Sequence, residues 1–358
     1  MNEKLSRGFL PPQDPATAFP PGSPFELLDQ VGRDLPSLLL EDDARQYLQS
    51  FVFPDWDCGD QLSTPLQHLY YVRLGFIASG YINQIGTSPC HQLPKNLAQP
   101  LCSICHQLQR PPILSYDGYA LYNWKRFDKK KPVQLGNIDT LQNFVHLYDE
   151  HWFILVHVDI EMKAAETVSA IQRIIDTIED TDAINKNLKI IAGSLAQQVS
   201  VLKRIPERMS PDLYFKAFRP YIRFFEQVTY EGVQHQATNF RGETGAQSSI
   251  MPSLVALLKI PHQASELTNH LRDMRNYMPV EHQQLLTRIE KLPPIKPLSE
   301  VTLFNEVLEQ IAQFREIHFN WAQQYINAHV QDPRGTGGTP YMRWLKQLID
   351  ETRGFMIH

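Results

Sequence analysis

Residues 304–326, FNEVLEQIAQFREIHFNWAQQYI, decide the fold class of this chain. Apolar and aromatic side chains recur in this stretch at spacings of four and three residues, which places them on one face of an α-helix. The members of this stripe are Val307, Ile311, Phe314, His318, Trp321 and Tyr325. His318 interrupts an otherwise apolar face. Arg315 lies one turn before it, and the glycine-rich stretch GTGGT (335–339) follows.

Two interpretations of His318 are open at this point. A histidine on an apolar helix face is commonly a core residue whose ring nitrogens are hydrogen-bonded. Alternatively, it is the proximal ligand to haem iron, because a neutral imidazole ligates haem and the cofactor needs an apolar wall that excludes water. The stripe by itself does not decide between them.

The composition is that of an ordinary globular protein. The chain has 358 residues, of which 42% are hydrophobic and 20% are charged, enough for about two domains with substantial cores. The formal net charge is −5 and the basic run 129–131 is short, so we expect no nucleic-acid partner. No stretch approaches about 18 consecutive apolar residues, and the N-terminus lacks an apolar signal core. We therefore expect a cytoplasmic protein without a membrane partner.

The four cysteines, Cys58, Cys90, Cys102 and Cys105, all lie early in the chain. The stretch CSICH (102–106) matches the pattern for covalent haem attachment, but attachment normally requires export and the chain shows no export signal. A zinc site built from the four thiols is conceivable, although their spacing is not that of paired CxxC knuckles. Reduced, buried cysteines of a cytoplasmic protein are the simpler interpretation.

Helical periodicity dominates the later part of the chain, and strand alternation is scarce, so the fold class is predicted to be all-α. Residues 1–135 are rich in Pro, Gln and aromatic residues, and predict a small, mostly helical domain that begins with an irregular Pro-rich arm. Residues 136–358 predict a large all-α domain whose helices are separated by proline-containing breaks. The predicted helices cover 151–180, 185–204, 212–230, 248–259, 265–277, 282–290 and 299–330.

A second histidine lies on an apolar face in the 151–180 segment. The stripe of this segment consists of Phe153, His157, Ile160, Ala164, Val168, Ile171 and Ile175. WFILVHV (152–158) is also compatible with a buried strand, but the long helical pattern that follows favours a helix. His157 and His318 on two buried helix faces would sandwich a flat cofactor, and a chance pairing among the 13 histidines is the alternative.

Five segments resemble sequence motifs of the indoleamine 2,3-dioxygenase family, within the superfamily of haem-dependent tryptophan and indoleamine dioxygenases. We expect a bacterial-type member of that family. The similarity covers roughly residues 110–350, and five motifs in the expected order are more specific than any one glycine-rich piece. The segments are PPILSYDGYALYNWKRF (111–127), FKAFRPYI…TYEGV (215–233), FRGETGAQSSIMPSLVALLKI (240–260), LRDMRNYMP (271–279) and GTGGTPYMRWLKQL (335–348).

The resemblance implies a b-type haem held in an all-α fold. His318 matches the proximal ligand of the iron, and Arg315 matches a residue beside a haem propionate. Thr244 and Gly245, in the glutamine-containing loop, match positions that contact the cofactor.

The resemblance also implies a set of substrate-binding residues. Arg219 matches the arginine that holds the substrate carboxylate, and Tyr214 and Phe153 match aromatic walls of the indole pocket. Arg219 lies in the aromatic run YFKAFRPYIRFF (214–225), where an unpaired guanidinium is costly. Its planar fork suits a carboxylate, and a structural ion pair with a local acid is the alternative.

The remaining substrate contacts implied by the resemblance form a roof and a lid. Tyr116 and Tyr119 fall in the motif that roofs the indole pocket, and Thr336 matches a residue that closes over the substrate ammonium group. The three glycines of GTGGT (335–339) permit the backbone changes of a mobile lid, with a plain surface turn as the alternative.

The chain departs from the vertebrate members of the family at several of these positions. His157 stands where they carry a small hydroxyl residue, and it is similar instead to the distal histidine of tryptophan 2,3-dioxygenases, which meets the indole N–H. We therefore expect a catalytic role for His157 and a substrate range narrowed toward tryptophan. Gly118 and Tyr119 also differ from the roof motif, and Thr244-Gly245-Ala246 replaces the sequence Ser-Ala-Gly.

These resemblances imply a haem dioxygenase, an oxidoreductase that opens the indole ring of L-tryptophan or a related indoleamine with O2 to give N-formylkynurenine. Such an enzyme belongs to tryptophan catabolism by the kynurenine pathway and needs an electron donor that keeps the haem ferrous. Three alternatives remain at the level of sequence. They are a haem enzyme that oxidises a modified indole in a biosynthetic pathway, a non-catalytic haem or indole sensor, and a helical scaffold without haem.

Overall fold

The computed structural model describes residues 5–54, 62–329 and 341–358, and this part of the chain is predominantly helical, as the sequence predicts. Short 3-10 and π-helical turns join many of the α-helices. In chain order the α-helices are α1 (Glu26–Leu38), α2 (Ala44–Gln49), α3 (Thr64–Ile82), α4 (Lys95–Gln107), α5 (Tyr148–Lys163), α6 (Ala165–Asp176), α7 (Thr181–Leu202), α8 (Pro211–Leu213), α9 (Ile250–Leu258), α10 (Glu266–Met274), α11 (Val280–Glu290), α12 (Val301–Tyr325) and α13 (Tyr341–Gly354).

Two small β-sheets accompany the helices. β1 (Gln92–Leu93) pairs in parallel with β4 (Phe225–Tyr230), which pairs antiparallel with β5 (Gln234–Phe240). β2 (Trp124–Arg126) and β3 (Ile138–Thr140) form a separate antiparallel pair.

The prediction of one helix over 212–230 is wrong in its second half. A π-helical turn (Tyr214–Phe218) and a 3-10 turn (Arg219–Ile222) follow α8, and the chain then enters strand β4. The sequence of β4, FEQVTY, is rich in aromatic and β-branched residues, which favour a strand when a partner strand is available. That partner, β5, lies directly after it in the chain, and Phe225, the first residue of β4, pairs with the last residue of β5.

The segment predicted as one helix over 151–180 forms two helices, α5 and α6. They meet at Ala164, which caps the end of α5 and the start of α6. The N-terminal arm packs on this junction through Gly8, whose φ is +68° and whose missing Cβ leaves room for the backbone of Ala165. The predicted helical character of WFILVHV (152–158) is confirmed.

Two hydrophobic cores lie side by side in the described part of the chain. One gathers residues of α1, α3, α4 and the β-sheets, and includes the fully buried Tyr70, Phe76 and Trp124. The other gathers α6, α7, α9, α11 and α12, and includes Leu188, Leu254 and Val307. Helix α5 contributes to both cores, so its two faces connect them. The division of the chain at residue 135 stays a prediction.

Helix α7 lies at the centre of the packing of helices α5, α6 and α12. The side chain of Asp180 caps its first turn by accepting a hydrogen bond from the backbone N–H of Ala183 at 2.9 Å. Helices α5, α6 and α12 all pack along α7.

Within the described residues, no helix is both long enough and apolar enough to cross a membrane.

The described cysteines do not gather into a metal site. Cys90, Cys102 and Cys105 carry free thiols, and burial raises the pKa of Cys102 to about 12. No group of His, Cys, Asp and Glu side chains suitable for a metal ion occurs within residues 5–54, 62–329 and 341–358. Cys58 lies outside these residues.

Candidate active site

One face of α5 carries a row of polar and aromatic side chains. Glu150, Phe153, His157 and Glu161 are spaced by three, four and four residues, so they lie on a common face of the helix. Glu150 and Glu161 are fully buried, whereas Phe153 and His157 are only half-buried although they lie inside the protein.

The imidazole of His157 is held in one tautomer. Its Nδ1 lies 2.7 Å from the backbone carbonyl oxygen of Phe153, which can only accept a hydrogen bond. The proton therefore resides on Nδ1, and Nε2 presents a lone pair. Burial lowers the pKa of His157, an effect partly offset by this hydrogen bond, so the ring is neutral at neutral pH.

We infer that helix α12 presents His318 to an internal cavity. Val307 and Ile311 of the predicted stripe are fully buried, whereas further along the helix the His318 side chain is exposed. Nevertheless, burial within the protein lowers the pKa of His318 to about 4, and repulsion from His157 acts in the same direction. A side chain that is accessible and desolvated at once faces an enclosed space, and the electrostatic interaction places His157 at the same space.

An aromatic wall connects the two histidines. The His157 ring packs edge-on against Phe153, with centroids 4.5 Å apart, and Phe153 lies 5.5 Å from Tyr214. Tyr214 lies 5.8 Å from Tyr325, which is on the same helix as His318. The wall therefore runs continuously from α5, through the π-helical turn at 214–218, to α12.

A second π-helical turn, Asp117–Leu121, covers the α5 side of the cavity, as expected for a roof. The ring of Tyr116 lies 5.9 Å from that of His157, and the ring of Tyr119 lies 6.2 Å from that of Phe153. The Tyr116 hydroxyl donates to Oε1 of Glu161 at 2.9 Å. The Tyr119 hydroxyl donates to Oε1 of Glu150 at 3.3 Å.

The loop that contains Thr244 and Gly245 is fastened to this roof by Gln247. Oε1 of Gln247 accepts from the backbone N–H of Tyr116 at 2.9 Å, and its Nε2 donates to the carbonyl of Gly242 at 3.0 Å. Gly245 is exposed, and a Cβ added there would meet no atom within 4 Å. The loop therefore has open space beside it while its ends are fixed.

The two predicted arginines occupy different settings. Arg219 is buried, and its guanidinium lies over the Phe215 ring at 5.4 Å. Arg315 is also buried, and its Nη1 donates to the carbonyl of Leu348 at 2.9 Å and to the hydroxyl of Thr352. Arg315 thus ties α12 to α13, and its contact with a haem propionate stays a prediction.

The structure brings most of the predicted site residues together. Phe153, His157, Tyr116, Tyr119 and Tyr214 form one continuous cluster, and His318 faces the same cavity from α12. Thr336 and the GTGGT stretch lie outside the described residues.

The sequence reasoning missed the buried carboxyl groups of the site. Glu150 and Glu161 continue the spacing of Phe153 and His157, so a charged residue within an apolar stripe was the available signal. Burial raises the pKa of Glu150 to about 8 and that of Glu161 to about 7. A third buried carboxyl, Glu243, lies in a loop without periodicity, and no pattern in the sequence marks it.

Comparison with known proteins identifies the family. The sequence profile of the indoleamine 2,3-dioxygenase family matches residues 4–332. This chain belongs to the indoleamine 2,3-dioxygenase family. It is 31% identical to indoleamine 2,3-dioxygenase 1 of Rattus norvegicus, over 91% of this chain and 88% of that protein. Its place among bacterial-type members stays a prediction.

Two relatives of lower identity also cover almost the whole chain. The chain is 27% identical to indoleamine 2,3-dioxygenase of Saccharomyces cerevisiae, over 96% of this chain and 90% of that protein. It is 25% identical to a myoglobin of Haliotis madaka, over 92% of this chain and 91% of that protein. Members of the indoleamine 2,3-dioxygenase family are haem dioxygenases, so this chain is an oxidoreductase whose cofactor is haem.

The residues around the cavity fit a haem group. His318 offers an accessible, neutral imidazole, which is the form that ligates iron. Phe314 and Trp321, one turn to either side of it, are apolar yet only half-buried, as expected of a wall that a flat apolar group would cover.

Proposed function

We propose that this chain opens the indole ring of L-tryptophan, or of a closely related indoleamine, with O2 to give N-formylkynurenine. The proposal is supported by the proximity of His157 and His318, which lie on separate helices, interact electrostatically and are connected by a continuous aromatic wall. A bound haem supplies the oxidative chemistry with O2, whereas the protein binds the substrate, orients it and excludes water.

The α5 side of the cavity would hold the indole ring. Phe153 and Tyr214 provide aromatic surfaces for the ring, with Tyr116 and Tyr119 above it. Because Nδ1 of His157 donates to the Phe153 carbonyl, Nε2 is free to accept a hydrogen bond from the indole N–H. His157 would therefore fix the direction in which the C2–C3 bond of the ring points.

The amino-acid end of the substrate would be bound by charge. Arg219 is buried with its guanidinium over the Phe215 ring, where a carboxylate would form a strong charge-assisted pair with it. The substrate ammonium group is assigned to Thr336, which lies outside the described residues.

The α12 side would hold the cofactor. We assign His318 as the iron ligand, Arg315 as a neighbour of a haem propionate, and Thr244 and Gly245 as contacts at the haem edge. Arg315 is fixed by its bonds to α13, so any propionate would meet a guanidinium that is already oriented.

Substitution of His318 tests the cofactor assignment. His318→Ala should abolish stable haem binding, seen as loss of the Soret absorbance after reconstitution, while the far-ultraviolet circular dichroism stays helical. His329→Ala is a matched control, because His329 also lies in this region but stacks on Phe215 with centroids 5.3 Å apart. If His318→Ala retains normally ligated haem, another residue holds the iron and the assignment fails.

A second candidate function is reversible O2 binding without turnover. It is favoured by the similarity to a relative named myoglobin, which covers nearly the whole chain. Incubation of the reduced holoprotein with L-tryptophan and O2 distinguishes the two functions. Formation of N-formylkynurenine supports the dioxygenase, whereas a stable oxygenated spectrum without any product supports the O2 carrier.

Several further points remain our proposals. They are a role in tryptophan catabolism by the kynurenine pathway, a cytoplasmic location, and an electron donor that keeps the haem ferrous. A haem enzyme that oxidises a modified indole in biosynthesis is the remaining alternative, and product analysis with tryptophan and substituted indoles separates it from the first proposal.

A further inference from the structure

One buried carboxyl on the site face of α5, that of Glu161, joins three parts of the pocket. Glu161 is fully buried, and it lies one helical turn after His157 on the same face of α5. Its Oε1 accepts a hydrogen bond from the Tyr116 hydroxyl at 2.9 Å and a second from the Ser248 hydroxyl at 2.7 Å. The carboxyl therefore connects helix α5, the roof and the loop at 244–249.

The two oxygens of this carboxyl are used unequally. Oε2 of Glu161 is buried, and no hydrogen bond reaches it from any residue that the structure describes. Glu150, on the same face of α5, has partners at both oxygens, because the backbone N–H of Phe144 donates to Oε1 and Oε2 and that of Val145 donates to Oε2. A buried polar atom without a partner costs free energy, so stability alone does not explain a carboxyl at position 161.

The group that Glu161 binds, Tyr116, is held at both of its ends. Its backbone N–H donates to Oε1 of Gln247 at 2.9 Å, and its hydroxyl donates to Glu161. Gln247 and Ser248 are neighbours in the chain, so one loop supports both the tyrosine and the carboxyl that binds it. The Tyr116 ring is therefore fixed as long as its bond to Glu161 persists.

The ring of Tyr116 packs against the imidazole of His157. The two rings meet edge-on, with centroids 5.9 Å apart and an angle of 75° between their planes. The hydrogen bond from Nδ1 of His157 to the Phe153 carbonyl fixes one point of the imidazole. The tilt of the ring about that point is then limited by its contacts with Phe153 and Tyr116. The direction of the Nε2 lone pair therefore depends on Tyr116 being held in place.

The other roof tyrosine, Tyr119, forms a similar pair but supports a different residue. Its hydroxyl donates to Oε1 of Glu150 at 3.3 Å, and its ring lies 6.2 Å from that of Phe153. The two tyrosine–carboxyl pairs are thus alike in chemistry and differ in the pocket residue that the tyrosine contacts. Their comparison isolates the contact with His157.

We propose that Glu161 is a positioning residue that holds Tyr116 against His157 and thereby keeps Nε2 of His157 directed at the indole N–H. This inference rests on the proposed function, because it assumes that His157 accepts the indole N–H. In this role Glu161 acts through Tyr116 and His157. Loss of its carboxyl should therefore weaken the selectivity for a free indole N–H, whereas loss of a merely structural group would change the affinity for all indoles alike.

The test compares the dissociation constants of L-tryptophan and of 1-methyltryptophan, which lacks the indole N–H, for the holoenzyme by isothermal titration calorimetry. Tyr116→Phe removes only the hydroxyl that Glu161 binds, and should reduce the wild-type preference for tryptophan by about 3- to 10-fold, the effect of one hydrogen bond. Glu161→Leu should reduce it by a similar factor, and the double variant should reduce it no further, because both changes break the same bond. Glu161→Gln should retain most of the preference, since the amide oxygen accepts from both hydroxyls.

Tyr119→Phe is the matched control. It removes the equivalent hydroxyl from the pair with Glu150, and its ring contacts Phe153. This variant should change the affinities for the two compounds alike and leave their ratio at the wild-type value. Product chromatography with L-tryptophan and O2 accompanies each titration.

An unchanged ratio in Tyr116→Phe, or an equal fall of the ratio in Tyr119→Phe, would overturn the inference while leaving the proposed function intact. Tyr116→Phe decides the question by itself if Glu161→Leu does not fold. A wild type without preference for tryptophan would refute the contact between the indole and His157, and the inference with it. The expected ratios without any product would support the inference and contradict the proposed dioxygenase function alone.

Discussion

The hydrogen bond from His157 to the Phe153 carbonyl leads to a quantitative expectation about N-methylated substrates. With the proton on Nδ1, only Nε2 is available to accept the indole N–H. In 1-methyltryptophan this N–H is replaced by a methyl group, so the bond is lost and a buried nitrogen is left without a partner. The cost of an unsatisfied buried group is about 1–3 kcal/mol, which corresponds to a binding ratio of about 5- to 150-fold in favour of tryptophan.

Replacement of His157 by serine should narrow this ratio. The serine side chain is too short to reach the same acceptor position. Tryptophan therefore loses the hydrogen bond and binds more weakly, whereas the affinity for 1-methyltryptophan changes little. We expect the ratio of dissociation constants for the two compounds, measured by titration of the holoenzyme, to fall by at least about 5-fold.

His151→Ser provides a matched control on the same helix. His151 is half-buried like His157, but its Nδ1 lies 2.8 Å from the hydroxyl of Thr140 and 3.2 Å from Asp139, away from the cavity. This variant should retain the wild-type ratio. If His157→Ser also retains it, His157 is a core histidine satisfied by the Phe153 carbonyl, and the proposed contact with the indole is refuted.

Two further expectations concern charged groups of the site. Arg219→Leu should raise the Michaelis constant for tryptophan by about 10- to 150-fold, the loss of a charge-assisted pair of about 1.5–3 kcal/mol, and should scarcely affect indoles without a carboxylate. Equal losses for both kinds of substrate would indicate a folding role. Burial raises the pKa of Glu150 from its ordinary value of 4.5 to about 8. The folded protein therefore binds this proton more tightly than the unfolded chain does. The resulting contribution to stability is complete below the ordinary pKa and is lost as the pH rises toward 8. Between these two values the free energy of unfolding falls by about 1.4 kcal/mol per pH unit. In urea unfolding experiments, Glu150→Gln should therefore lose less stability between about pH 5 and pH 8 than the wild type does. An unchanged dependence of stability on pH would contradict the assignment.

The sequence predicted the parts of the fold that depend on local periodicity. Helix α12 was predictable because its apolar stripe repeats over several turns, and α5 because its pattern continues well beyond the ambiguous WFILVHV stretch. Strand β4 was not, because its pairing with β5 and β1 is a tertiary interaction that overrides a weak helical pattern. The break at Ala164 likewise coincides with packing of the distant N-terminal arm, which no local pattern reveals.

The site shows the same difference between residues marked by a local sequence pattern and residues placed by tertiary contacts. His157 and His318 stood out because each interrupts an apolar stripe, and the structure brings the two imidazoles close enough to interact electrostatically. The role of Gln247 as a clamp depends on a hydrogen bond to Tyr116, more than a hundred residues earlier, and could not be read from its neighbours. Glu243 is hidden for the same reason, since its burial follows from the crossing of two chain segments at Gly242.

The most direct test of the proposed function is the fate of molecular oxygen. The reduced holoenzyme is given L-tryptophan under ¹⁸O2, and the product is analysed by mass spectrometry. We expect N-formylkynurenine that carries two ¹⁸O atoms, because a dioxygenase transfers both atoms of O2 to the opened ring. A product with a single ¹⁸O atom, or unreacted tryptophan beside a haem that binds O2 stably, would contradict the account.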